Sequence, residues 1–225
     1  MRMRTLVLTI LAIAGAAVVG FLAFAPSQPA AANSIERLSV YQDPALLKQA
    51  WNLPVARRYG PNGYTFQDNA SVCGPTSIAD VLTSEGKPAD PKAVLAGSGV
   101  PNYLGYLPSG LTLDQEAALL HARTGRYVAI LRGLSLNDFR RELRRSNDPR
   151  LRYIVNFTRD SLFGHGHGHF SPVLGYLAGR DLVFVGDVNH DYMPWLVPTA
   201  RLYAAQDTID ADTHAKRGLL RVSAP

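Results

Sequence analysis

The 225 residues hold one cysteine, 47% hydrophobic and 18% charged side chains and a formal charge of +5, a balance that suits one globular domain with a sizeable core. A lone cysteine excludes an intramolecular disulfide framework. Removing the two charges of Arg2 and Arg4 leaves +3, too mild for the basic footprint of a nucleic-acid binder.

Along the chain, the basic start MRMR is followed by an uninterrupted apolar run from Thr5 to Phe24 and then by the small, polar stretch PSQPAAANS. This is the layout of an export signal, with an A-x-A-like cleavage site in Pro29 to Ala32 and a run also long enough to span a bilayer uncleaved. Residues 1–32 are therefore expected to be a signal peptide or an amino-terminal membrane anchor, and residues 33–225 one domain, periplasmic or otherwise exported. A short helical stretch around Pro44 to Trp51 and the turn-rich YGPNGY lead to a helix over Gly74 to Glu85. There Ile78, Val81 and Leu82 fall at helical spacing, and Gly86 and Pro88 signal the stop. Asp90-Pro91 opens another helix, Thr112 and Gln115 make a capping box for a helix ending at Gly125, and a third follows Ser135. That last pattern contains Arg140, Arg141, Arg144 and Arg145, which read as a solvated face. Strand-like runs cover Tyr127 to Leu131, Arg152 to Phe157, His169 to Leu177, Leu182 to Asp187 and Gly218 to Val222. Helices come first and most strands later, which gives an α+β class.

Three elements carry chemistry. Cys73 stands at a helix N-terminus, where unpaired N–H groups and the helix dipole stabilise a thiolate and its own N–H faces a developing oxyanion. Gln67, six residues upstream, offers a second donor; the alternative is a small buried core cysteine and a surface Gln. The run from Gly164 to His169 alternates His165, His167 and His169 with glycine, and its spacing leaves three readings open. They are a metal site on one strand face, a single general base for Cys73, and a flexible loop. Asp187 ends the apolar run LVFVG, where it would orient an imidazole or simply serve a turn.

Taken together, NASVCGPTSIADVL, NFTRDSLFGHGHGHFSPVLGYL, GDVNHDYMPW and DTIDADTHAKRG resemble the catalytic half of phytochelatin synthases, a papain-like cysteine enzyme family, from about Gln67 to Val222. The resemblance implies a papain-like fold in which a helix bearing the nucleophile packs on an antiparallel sheet bearing His and Asp. It implies Cys73 as nucleophile, His169 as base, Asp187 as its partner and Gln67 as an oxyanion donor, with His165 and His167 as loop residues and no metal site. It further implies glutathione or another γ-glutamyl peptide as substrate, held at its γ-glutamyl end by Asp210 and Arg217. Without the resemblance these two read as a surface salt bridge.

Plant members carry basic residues three and five positions after the Asp, linked to the second substrate. This chain has His190 and Tyr192 there, while Arg159 keeps a further basic position. Hydrolysis is therefore expected over transfer to a second glutathione. No cofactor is implied, although a cadmium or zinc thiolate of glutathione would be a form of substrate. The sequence has no cysteine-rich region after the match and resembles the short bacterial members. Two rivals remain: an exported papain-like peptidase with another substrate, and a non-catalytic metal-binding protein using the HGHGH run. Finally, His169 and Asp187 must share a sheet face, which requires an odd-length loop after Leu177 or a bulge at Pro172, which cannot donate to the ladder, so that His169 lies opposite Asn189.

Overall fold

The computed structural model describes residues 30–60 and 63–223. The expected export segment falls outside the described residues except for its last three. Among the described residues no helix is long and apolar enough to cross a membrane.

Eight α-helices are described: α1 (Pro44–Trp51), α2 (Ala56–Tyr59), α3 (Cys73–Ser84), α4 (Pro91–Leu95), α5 (Leu113–Thr124), α6 (Leu136–Arg145), α7 (Arg159–Phe163) and α8 (Thr199–Gln206). Local chemistry sets several of their ends. The Asp43 carboxylate accepts from the Leu46 N–H and starts α1, the Asp90 carboxylate accepts from Ala93 and starts α4, and the Ser135 hydroxyl accepts from Asp138 and starts α6. At α5 both halves of the Thr112–Gln115 capping box form, and Gly125 closes the helix in the left-handed conformation.

The strands β1 (Val128–Arg132), β2 (Arg152–Thr158), β3 (Gly168–Leu177), β4 (Leu182–Val185), β5 (Trp195–Pro198) and β6 (Gly218–Val222) form one sheet in the order β1-β6-β2-β3-β4-β5. Every neighbouring pair is antiparallel. The α+β expectation holds, and the sheet is covered on both faces. Ile78, Leu82, Leu120, Ile154 and Phe184 belong to one core, whereas Phe139, Leu143, Tyr153, Phe157, Trp195 and Leu202 belong to the other. Coverage on both sides explains why β2 is buried from Arg152 to Phe157 without alternation.

The joint between β3 and β4 decides the geometry of the site. Leu177 pairs with Leu182, so the connection holds four residues, an even number, with a 3₁₀ turn over Ala178–Arg180. Extended regularly, that register would set His169 opposite His190 and turn Asp187 to the wrong face. A bulge between Val173 and Gly175 removes the mismatch: Val173 pairs with Val185, and the Gly186 N–H donates to the Pro172 carbonyl at 2.9 Å. His169 and Asp187 thus share a face. The expected shift is achieved by a bulge, centred on Leu174 rather than Pro172.

Candidate active site

Cys73 begins α3, the helix packed against β3, and is 7% exposed. Burial pushes its thiol up to about 11; the backbone N–H groups of Phe170 and Gly74, together with Arg159, pull it down, and Glu116 adds to the rise. A thiolate was the expectation from the helix N-terminus alone. Desolvation outweighs that benefit because α3 is buried along nearly its whole length. The resting group is a thiol.

His169 lies at the start of β3, 3% exposed, and its Nε2 is 2.9 Å from Asp187 Oδ1. Asp187 is fully buried and saturated with donors. Its Oδ1 also accepts from Arg159 Nη2 at 2.7 Å and from the Asn189 N–H at 2.9 Å, and its Oδ2 accepts from Trp195 Nε1 at 3.0 Å. Burial would raise this carboxyl, but the His169 and Arg159 charges and the hydrogen bonds hold it near 2. Burial and then Arg159 hold His169 below the usual imidazole range, against the pull of Asp187. With Nε2 on Asp187, Nδ1 is the nitrogen left for the thiol. Among the described residues no hydrogen bond joins it to Sγ; the Phe170 N–H, one residue after His169 in the chain, lies beside the sulfur.

Gln67 lies on the loop before α3. Its N–H donates to the Val188 carbonyl at 2.8 Å, tying that loop to the segment bearing Asp187, and its Oε1 is buried without a partner. Two residues upstream, the Thr65 N–H and hydroxyl both donate to Asp80, at 2.9 and 2.7 Å. Asp80 and Trp195 stand inside two of the motif segments with no role that the sequence assigns, yet they brace the loop and the carboxylate.

Asp210 and Arg217 meet, with Arg217 Nη1 2.6 Å from Asp210 Oδ2. The segment between them folds back through a bridge of Ile209 with Lys216. Arg217 also donates to Asn156 Oδ1 at 3.2 Å, and Asn156 Nδ2 donates to the His169 carbonyl at 3.3 Å. Asn156 is the polar interruption in the buried run RYIVNFT, the signal by which it could have been found.

The His/Gly run is a set of notches. A Cβ on Gly164 would strike Ala31 and Asn33, one on Gly166 would sit 3.0 Å from Arg159 Cβ, and one on Gly168 would run into the Arg217 guanidinium. His165 and His167 are exposed between them. Among the described residues no three His, Cys, Asp or Glu side chains gather as a metal cage. Arg159, expected near a second substrate, is 7% exposed and engaged with Asp187. His190 is exposed, its ring 5.2 Å from that of Phe66.

Glu116 was not anticipated. This α5 residue is fully buried, its carboxylate fills the space where a Gly74 side chain would stand, and both oxygens lack partners. Burial pushes it up to about 8 from an ordinary 4.5. Since the folded value is the higher, the folded state keeps a proton that the unfolded chain releases above pH 4.5, and stability falls as pH rises toward 8, by up to about 1.4 kcal/mol per pH unit. Glu116→Gln should flatten this loss. Thermal melts at pH 5 and pH 9 should show the variant gaining about 5 °C or more on the parent at the higher pH; equal slopes would refute the assignment.

The phytochelatin synthase family model matches residues 106–219, just over half of the chain. The match includes Arg159, His169, Asp187, Asp210 and Arg217 but not Gln67 or Cys73. Among curated proteins, the chain is 36% identical over 118 residues to glutathione gamma-glutamylcysteinyltransferase 3 of Lotus japonicus, covering 51% of this chain and 24% of that protein. It is 33% identical over 119 residues to glutathione gamma-glutamylcysteinyltransferase 2 of Arabidopsis thaliana, covering 52% and 26%. The match thus spans about a quarter of each relative. Among solved structures, a putative C39-like peptidase from Bacillus anthracis superposes with a TM-score of 0.50 at 14% identity, over 72% of this chain and 94% of that one. The fold is that of papain-like cysteine peptidases.

Proposed function

Because the chain belongs to the phytochelatin synthase family, we propose that it is a cysteine-dependent γ-glutamyl-peptide hydrolase and acyltransferase that removes glycine from glutathione. The observation that carries this reading is the convergence on three consecutive residues. Gly168 abuts Arg217, His169 bonds Asp187, and the Phe170 N–H lies beside the Cys73 sulfur. A γ-linked glutamate has a free ammonium and a free carboxylate, which Asp210 and Arg217 would hold together, with the scissile peptide then reaching Cys73.

The resting thiol and neutral imidazole fit general-base activation. As the sulfur attacks the cysteinyl carbonyl, its proton passes to His169 Nδ1, and the Asp187 carboxylate stabilises the imidazolium. The Cys73 N–H and Gln67 would steady the oxyanion. His169 returns the proton to the departing glycine amine, leaving a γ-glutamylcysteinyl thioester. Water, deprotonated by His169, then releases γ-glutamylcysteine and restores the thiol. This chemistry needs no bound cofactor, and a cadmium or zinc thiolate of glutathione would enter as substrate. The amino-terminal sequence supports action outside the cytoplasm.

Hydrolysis is favoured over transfer in this reading, since His190 and Tyr192 stand where plant members carry cations and Arg159 is committed to Asp187. Incubation with glutathione should give γ-glutamylcysteine and glycine as the main products by mass spectrometry. Replacing His190 with Arg and Tyr192 with Lys together should raise the share of longer γ-linked peptides severalfold. Longer peptides dominating in the parent protein would refute the preference, and absence of any glycine release would refute the substrate.

A further inference from the structure

The Asp187 carboxylate serves an imidazole and a guanidinium, and the guanidinium is held at several points. Arg159 opens α7, its N–H bonded to the His167 carbonyl at 2.9 Å, and Gly166 passes close over its side-chain stem with a positive φ of 96°. Its guanidinium lies 4.2 Å from the Tyr192 ring centre and 5.5 Å from that of Phe163, with Nη2 2.7 Å from Asp187 Oδ1 and 2.8 Å from His169 Nε2. Tyr192 is itself pinned, since its carbonyl accepts from Gln42 Nε2 at 2.7 Å and from the Tyr41 hydroxyl at 3.3 Å. Arg159 Nη1 is buried with no partner. The group is therefore held by a ring and one carboxylate oxygen rather than by full use of its donors.

We propose that Tyr192 and Arg159 form a clamp that divides the Asp187 carboxylate between a guanidinium and the imidazole, which makes Arg159 a positioning residue that limits how far Asp187 can stabilise a charged His169. The physical reason is that two cations on one buried oxygen repel each other, so His169 protonates against Arg159. The direction of the His169 shift, below its ordinary range with Arg159 as the cause after burial, agrees. Among the described residues, the Cys73 thiol and the hydroxyls of Tyr41, Tyr64 and Tyr192 interact with the pair, and the Glu36 carboxylate acts on Tyr41 and Tyr192. Burial raises the thiol and the three hydroxyls, so they stay uncharged at neutral pH. The clamp would keep the base unprotonated and ready for the thiol proton, at the cost of a weaker imidazolium during attack.

This inference rests on His169 being the base, so the first readout avoids turnover. Titration of the His169 ring by nitrogen-15 NMR, its signal identified by loss in His169→Asn, should show protonation at higher pH in Arg159→Met than in the full-length parent chain. Arg159→Lys, which keeps the charge, should stay near the parent. Glutathione turnover across pH 5 to 9 should move likewise, with kcat/KM of Arg159→Met at pH 6 lower by about tenfold relative to its own plateau. Tyr192→Leu loosens the clamp without deleting the cation and should move both curves the same way by less. It also decides the matter together with Arg159→Lys if Arg159→Met does not fold. An unmoved His169 titration in folded variants, or a change confined to KM or to the share of transfer product, would overturn the clamp and return Arg159 to acceptor binding. A shifted titration without glutathione turnover in the parent would leave the clamp standing and remove only the substrate.

Discussion

A folded Cys73→Ser protein is expected to release no measurable glycine from glutathione, a loss of about 10⁴-fold or more. The side chain is nearly isosteric and sits at the first residue of a buried helix, so the fold should survive, with a melting temperature within a few degrees of the parent. Chemistry is a different matter. The thiol sits up at about 11 because of burial, and in the proposed reaction a neutral imidazole would take its proton during attack. A hydroxyl at the same place holds its proton far more tightly, so the same base cannot remove it at a useful rate. With a single cysteine in the chain, alkylation offers a clean parallel reading. Iodoacetamide should label the parent slowly at pH 7, faster as pH rises, and the variant not at all. Retention of more than about a hundredth of the turnover by folded Cys73→Ser would remove Cys73 from the mechanism.

Asp187→Ala should produce the largest loss of stability among single changes at the site. Four donors converge on this carboxylate, from His169, Arg159, Asn189 and Trp195. Its removal strands a guanidinium that is 7% exposed and leaves three further N–H groups, those of His169, Asn189 and Trp195, without this acceptor. Breaking a buried pair in this way costs about 3–5 kcal/mol, or about 10 °C in melting temperature for a domain of this size. Asp187→Asn keeps an acceptor for Arg159 and should fall between. The penalty should also depend on pH. Asp187 is held near 2 in the fold, below its ordinary 3.8, so its contribution is complete above that ordinary value and is lost as pH falls toward 2. His169, also lowered, adds a loss on the acid side beginning near its ordinary 6.5, because the unfolded chain gains a proton there that the fold resists. Glu116 and Asp80, raised by burial to about 8 and about 7, act on the opposite side. Melts across pH 3 to 8 should therefore show parent and Asp187→Ala converging as the solution is acidified. A constant gap, or one under about 3 °C at pH 7, would show that the carboxylate does not hold the site together.

Much of this arrangement is written locally. The start of α3 at Cys73, the capping box at Thr112 and Gln115, and the strand runs on either side of Ala178 follow from residue type and period, which depend on near neighbours alone. So does the requirement that His169 and Asp187 share a face, because side chains alternate along a strand and one residue of slip reverses them. The strand Trp195–Pro198 and the helices α7 and α8 escaped the sequence pattern, being short segments stabilised by what they pack on. Trp195 is a β5 residue known as part of the site only once its ring nitrogen is seen on Asp187. The tertiary structure alone decided where the bulge falls, at Leu174 against an even loop. It also decided the charge state of the pair. A helix N-terminus favours a thiolate, yet burial between α3 and the sheet outweighs it, and desolvation is a property of the packed molecule that no local pattern encodes. The glycines of the His/Gly run gain their meaning in the same way, since each leaves room for a group distant in sequence or on the neighbouring helix. Arg159 is the sharpest instance: the sequence identifies a basic residue ten positions before His169, and only the fold turns it inward to share the carboxylate that the imidazole needs.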